Sequence, residues 1–288
     1  MGRAGAIGFV APALGLVGVF LIFPALWTIY LGLTNNQLFG LGAAQSHFVG
    51  TQNYSQTLSD PQFANSLKVT LLFVLGSALI GQMVLGFLLA WRFHGWTSWL
   101  RHVVEALVIV AWIIPSSVVA FLWIAFLDGQ SGTLNEFTGL HVEWLLRHPL
   151  LSIIVYNTWR GTAFSMLLFG AALNNVPPSH LETSRLAGAS QWQQLRDVIL
   201  PSIRGHILTN MLLISLWTFN DFGPYLITAG GPNFATEVLP IYVYRNAFSS
   251  GALGLGAAIS TIMLAINLLL ALVYLQLLRE RRPKEAAA

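Results

Sequence analysis

Residues 6–33 read AIGFVAPALGLVGVFLIFPALWTIYLGL, without one charged side chain. A helix needs about 20 apolar residues to cross a hydrocarbon core roughly 30 Å thick, so this run is long enough to span a membrane. It also far exceeds the roughly 7–15 residue apolar core of a signal peptide, which predicts a retained anchor and not a cleaved leader. Comparable runs at 67–91, 102–127, 150–174, 206–229 and 253–279 predict, with 6–33, six membrane helices. Composition agrees: 55% of the 288 residues are apolar and 9% charged, against about 25% charged in a soluble domain. The expected fold is all-α and polytopic, one membrane-embedded domain over 1–288.

The same composition excludes several classes. There is no cysteine, hence no disulfide framework or thiolate metal site. A formal charge of +3, with no long basic run, gives no support to nucleic-acid binding. Positive charge does set an orientation, because cytoplasmic loops retain an excess of Lys and Arg. With the N-terminus inside, Arg3, Arg92, Arg101, Arg185, Arg196, Arg204, Arg279, Arg281, Arg282 and Lys284 are cytoplasmic. Only Lys68, Arg147 and Arg245 fall at outer ends, and Arg160 lies inside the fourth span. Both termini are then cytoplasmic, and the loops 34–66, 128–149 and 230–252 face outward.

Between the fourth and fifth spans, 175–205 is too long for a plain connector. Pro177 and Pro178 end the preceding helix, and Ser179 with Glu182 three residues on has the spacing of a capping box. The first short helix is expected to run to about Ala187 and stop at Gly188, with a second amphipathic piece from Ser190 to Ile199 before Pro201. Such a helix-turn-helix lies on the membrane surface and presents a knob to the cytoplasm. Capping and ending a surface helix is the plainer reading of the same residues.

Glu182-Thr183-Ser184, then Gly188-Ala189, then Ile199-Leu200-Pro201 resembles the cytoplasmic loop of ATP-binding-cassette importer permeases, written E-A-A, then G, then I-x-L-P, with Thr183 and Ser184 in place of alanines. Val49-Gly50, Asn53-Tyr54 and Asp60-Pro61 extend the resemblance through the first outer loop. Gly230-Gly231-Pro232, Thr236-Glu237 and Tyr244-Arg245 with Phe248 resemble the last outer loop of the carbohydrate branch, the maltose and glycerol-phosphate type. The resemblance implies a multi-pass subunit of the bacterial cytoplasmic (inner) membrane that imports a sugar or similar polar solute. It implies that Glu182, Thr183, Ser184, Gly188, Ala189, Leu200 and Pro201 form a coupling helix seated on a separate ATPase subunit. The partners it implies are a second permease subunit, a related but different chain, two copies of a cytoplasmic ATP-binding subunit and an extracytoplasmic solute-binding protein. No cofactor is implied. A phosphate-binding loop needs Gly-Lys followed by Ser or Thr, and Lys68 and Lys284 lack that context, so ATP hydrolysis is expected in another chain.

Polar groups near mid-bilayer are costly and mark candidate solute paths. Asn157, Arg160, Gly161 and Phe164 recur at i, i+3, i+4 and i+7 in the fourth span, and Asn210, Trp217, Asn220 and Asp221 share a face of the fifth. In the third, Trp112 and Ser116 stand one turn apart beside Pro115. Counting about 1.5 Å per residue, these groups reach comparable depths in the outer half of the membrane. The resemblance points to Trp112, Ser116, Asn157, Arg160, Gly161, Phe164, Trp217 and Asn220 as sugar-site positions. Arg160 and Trp217 stand where the maltose-type subunit has uncharged or smaller side chains, so the solute itself is not carried over. Packing or lipid contact is the plain reading of each aromatic ring, and mutual neutralisation that of Arg160 with Asp221.

Two other classes fit the sequence less well. Gly129-Gln130-Ser131-Gly132 resembles the Gly-x-Ser-Gly of an intramembrane serine protease, but the last span has no histidine base, and a turn beside Asp128 explains the segment better. An ion-coupled secondary transporter also places polar groups at mid-bilayer; Asp221 supplies a candidate coupling carboxylate, but no convincing internal repeat is visible.

Overall fold

The computed structural model describes residues 3–95 and 98–280; Arg281, Arg282 and Lys284, used above for orientation, lie outside them. The described chain is helical, and its strand-like pairing is confined to one bridge between Thr34 and Phe48. The principal helices are α1 (Val10–Gly32), α2 (Pro61–Phe93), α3 (Trp99–Ile113), α4 (Ser116–Phe126), α5 (Pro149–Asn174), α6 (Pro178–Leu186), α7 (Gln191–Phe219) and α8 (Leu253–Arg279). Among the described residues α1, α2, α7 and α8 are each long and apolar enough to cross a membrane. α5 has the length, at 26 residues, but carries buried Ser152, Asn157, Thr162 and Ser165.

Two expected spans are broken. The third is not one helix: α3 and α4 meet at 105°, because Pro115 has no N–H to continue the ladder and holds Ile114 in an extended conformation (φ −57°, ψ 134°). The fifth ends at Phe219, short of the expected 229. Asn220 leaves helical geometry, Asp221 Oδ1 accepts the Gly223 N–H at 3.0 Å, and Pro224 opens a separate short helix, Gly223–Thr228.

Prolines elsewhere are absorbed. Pro24 and Pro201 each follow two residues after a π turn, Gly18–Ile22 and Leu195–Ile199, whose closing bonds run from Phe23 N–H to Gly18 O and from Leu200 N–H to Leu195 O. The wider turn relieves the clash that a proline ring makes with the turn before it. Pro201 therefore does not end the second loop helix, as the sequence suggested, and Gln191–Phe219 is continuous.

The chain divides into two compact units, one of the residues through Asn65 with Leu239–Ile266, the other of Ser66–Val238 with the residues from Asn267 on. In the first, Asn53 Nδ2 donates to the carbonyls of Gly32 (3.0 Å) and Thr34 (2.8 Å), and the Tyr242 hydroxyl donates to Asp60. These bonds give Asn53 and Asp60 of the first loop motif a structural role. No side chain in the most apolar window of α1 is buried within the chain.

The second unit is organised by α2 against α5. Gly76, Gly81 and Gly86 of α2 meet Ile154, Thr158 and Ser165 of α5 so closely that a Cβ at any of them would lie under 3.0 Å from the neighbour. Small residues let the two backbones approach where water exclusion supplies no drive. The five-residue step from Gly76 to Gly81 lies within the π-wound Val74–Gln82. Below, Met166, Phe169, Leu173 and Val176 bury with Leu195, Ile199 and Ile203, and Leu181 of α6 packs against that cluster.

Candidate functional site

Trp112, Phe164 and Trp217, from α3, α5 and α7, form a near-equilateral triangle of rings with centroids 6.0, 5.9 and 6.1 Å apart. They border a cavity of about 30 Å³ that is also lined by Gln82, Asn157, Arg160, Gly161, Ile214 and Thr218. Trp217 is 53% exposed, so the box is open on the α7 side.

Six of the eight sequence candidates thus come together: Trp112, Asn157, Arg160, Gly161, Phe164 and Trp217. Ser116 does not join them, because the bend at Pro115 puts it at the start of α4 on the far side of the corner. Asn220 caps α7 and turns to α8, where its amide and that of Asn267 exchange two hydrogen bonds of 3.1 Å. Asn210 is fully buried and accepts from Ser165 Oγ at 3.4 Å, away from the cavity.

The polar floor had not been anticipated. Asn157 Nδ2 donates to Ser77 Oγ at 2.7 Å and to Thr218 Oγ1 at 3.4 Å, while Gln82 Nε2 donates to the Asn157 carbonyl at 3.1 Å. Ser77 and Gln82 stand five apart, a spacing that shares a face only in a π-wound helix; two polar residues in an apolar span were the available signal. Gly161 is required by this floor, since a Cβ there would overlap the Gln82 carboxamide. Arg160 Nη1 lies 3.9 Å from Asp221 Oδ1, beyond hydrogen-bond distance, and Arg160 Nε and Asp221 Oδ2 are buried without a hydrogen bond.

The loop below has sharply defined ends. α6 starts at Pro178 with Pro177 as its N-cap and no side-chain cap, so the expected Ser179–Glu182 box is absent. Two prolines already fix the entry backbone, and Ser179 falls inside the helix. A capping box does form one helix later, between Ser190 and Gln193. The end of α6 agrees with expectation: Gly188 is left-handed (φ 79°), its N–H donates to Arg185 O at 2.9 Å, and Ala189 N–H donates to Ser184 O at 2.9 Å. This pairing is a Schellman stop, which only glycine enters without strain. Glu182 and Thr183 are exposed, and Ser184 Oγ donates back to Leu181 O at 2.7 Å. Leu200 packs at the edge of the cluster that holds Leu181.

In the loop after α4, Ser131 donates to Asp128 Oδ1 through its N–H (2.8 Å) and its hydroxyl (3.0 Å), and the Gln130 N–H adds a third bond at 3.1 Å. Gly129–Gly132 is therefore a turn built on a carboxylate, not a nucleophile site. The Ser131 N–H, its hydroxyl and the Gln130 N–H hold the Asp128 carboxyl below its ordinary value.

Known proteins supply the context. The chain is 31% identical to the sn-glycerol-3-phosphate transport system permease protein UgpA of Rhizobium meliloti, over 89% of this chain and 88% of that protein. It is 28% identical to the trehalose/maltose transport system permease protein MalF of Thermococcus litoralis, over 95% and 93%. Its fold matches a chain of a bacterial alginate ABC transporter, crystallised in complex with an alginate pentasaccharide-bound periplasmic protein, with a TM-score of 0.77 and 19% identity, covering 93% of this chain and 92% of that one. Residues 82–283 match the family model described as binding-protein-dependent transport system inner membrane component. With that match over most of its length, and with relatives among sugar-transport permeases, the chain belongs to the binding-protein-dependent transport system inner membrane components, as the permease subunit of an ABC importer.

Proposed function

We propose that this permease forms half of a membrane dimer with a related but different permease chain, has six spans with both termini cytoplasmic, and imports a sugar or similar polar solute. Two copies of an ATP-binding subunit dock beneath it and a solute-binding protein above. α6 is the coupling helix, with Glu182, Thr183 and Ser184 on its body, Gly188 and Ala189 at its stop and Leu200 and Pro201 at the re-entry to the membrane. The solute passes the ring triangle, where Trp112, Phe164 and Trp217 offer faces to a sugar ring and Asn157 and Arg160 offer polar groups to hydroxyls. Relatives that transport trehalose, maltose and glycerol phosphate support that class.

The observation that carries this reading is the physical continuity from α6 to the rings. Leu181 packs on the cluster of Phe169 and Leu173, and the same helix, α5, carries Phe164 and Arg160 at the cavity. A cavity of about 30 Å³ is too small for a hexose, which accords with a site completed by the other half or opened during the cycle. The test is uptake into proteoliposomes containing the co-purified assembly. Import is expected to require ATP and the binding protein and to survive collapse of ion gradients; uptake that follows the gradient without ATP would sink the proposal.

A further inference from the structure

At the end of α7 and α8 away from the ring triangle, the two helices part. They are joined at Asn220–Asn267 and again where Ser215 Oγ meets the Tyr274 hydroxyl at 3.3 Å. About 9 Å further along α7, six residues at 1.5 Å each, a groove of about 480 Å³ opens between Arg204–Thr209 and Leu275–Arg279. Its floor is low because Gly205 has no side chain, and a Cβ there would meet nothing within 4 Å. Thr209, which also lines it, turns its hydroxyl onto the Gly205 carbonyl at 2.9 Å. Leu208, Leu275 and Leu278 line it together with Arg204, His206 and Arg279.

We infer that this groove binds one anionic phospholipid, its phosphate between Arg204 and Arg279 and an acyl chain along the leucines. Charge and polarity together select that ligand. Two guanidiniums in the lining match a phosphate, and a basic pocket between membrane helices at the cytoplasmic side is where anionic headgroups lodge. A soluble phosphate would leave the leucine walls and the bare Gly205 floor unfilled, whereas an acyl chain covers them. The sequence continues past Arg279 with Arg281, Arg282 and Lys284 among Glu280 and Glu285, a net basic end that draws anionic lipid to the same leaflet. The site is independent of the solute path and needs no assumption about the transported molecule.

The full-length chain in maltoside detergent, titrated with phosphatidylglycerol or with phosphatidylcholine of the same acyl chains and read by native mass spectrometry, tests this. One phosphatidylglycerol is expected to be retained and phosphatidylcholine released. Arg204→Gln and Arg279→Gln should each weaken retention about fivefold. Gly205→Leu, which fills the floor without changing charge, should weaken it at least as much. Arg196→Gln, the same charge change on an exposed α7 residue outside the groove, should leave it unaltered. Equal retention of the two lipids, or a loss in Arg196→Gln as large as in the groove variants, would overturn the site in favour of diffuse attraction. Retention of glycerol phosphate as strong as that of the lipid would overturn it in favour of a soluble anion. Unchanged binding in Gly205→Leu, Arg204→Gln and Arg279→Gln together would remove the groove altogether.

Discussion

Gly161 of α5 abuts the Gln82 carboxamide of α2 so closely that no side chain fits between them. Gly161→Ala is therefore expected to push Gln82 off the Asn157 carbonyl and to cost about 1–3 kcal/mol through overpacking. Thermal unfolding of the purified chain reads this directly. An unshifted midpoint would mean that Gln82 moves aside freely.

Asn157 and Trp217 should separate stability from transport. Asn157 is buried and bonded to Ser77 and Thr218, so Asn157→Ala leaves hydroxyls short of a partner and is expected to lower stability by about 1–3 kcal/mol as well as uptake. Trp217 is half exposed; Trp217→Ala should leave the midpoint nearly unchanged while removing one side of the ring triangle and most of the uptake. If Trp217→Ala transports normally, the triangle is packing and the solute passes elsewhere.

Arg160 and Asp221 are close enough to attract but too far apart to bond, at 3.9 Å. Removing one charge strands the other in a buried place, a cost on the order of 3 kcal/mol. Arg160→Gln and Asp221→Asn should each impair assembly, and the double variant should recover most of it. Transport in that double variant then decides the role: recovery of uptake makes the pair structural, and failure of uptake in a folded complex assigns Arg160 to the solute.

In the loop, Gly188→Pro demands a φ near −65° where the chain has 79° and deletes the N–H that bonds Arg185. It is expected to unseat the end of α6 and, like charge reversal at Glu182, to uncouple ATPase activity from uptake without lowering the unfolding midpoint of the membrane core. Full coupling in both variants would take the docking role away from this helix.

The Asp128 turn gives a pH dependence. Because its carboxyl is held below the ordinary value near about 3.9, its contribution is fully present above that pH and is lost as pH falls through the lowered folded value. Limited proteolysis of the 127–148 loop should accelerate below about pH 4 in the wild type. Asp128→Asn should be cleaved faster already at pH 7 and show less acceleration; an identical pH profile in both would refute the assignment.

Much of this fold was legible because lipid solvent imposes long uncharged runs, and residues 6–33 could hardly do anything else. The 175–205 loop was legible where backbone chemistry dictates it: Gly188 stops α6 because no other residue enters that conformation cheaply. What escaped was geometry that a straight α-helix does not have. Pro115 turned the third span through a corner and took Ser116 from the cavity, while Asp221 and Pro224 ended α7 early and left Asn220 as a cap facing α8. Ser77 and Gln82 went unnoticed because their five-residue spacing has no meaning until Val74–Gln82 is known to be π-wound.

That winding also fixes how α2 and α5 can move. Successive glycines on α2 stand five residues apart, yet their seats on α5 are four residues apart from Ile154 to Thr158 and seven from Thr158 to Ser165. Packed helices can ratchet past one another by a turn only where knobs and seats repeat with a common period. Here the steps are unequal, so sliding Gly81 into a neighbouring seat would drive Gly76 and Gly86 into side chains. α2 and α5 thus share a single register, and motion during a cycle is expected at the Ile114–Pro115 corner and the Asn220–Phe222 break, where the helices beside the ring triangle are interrupted.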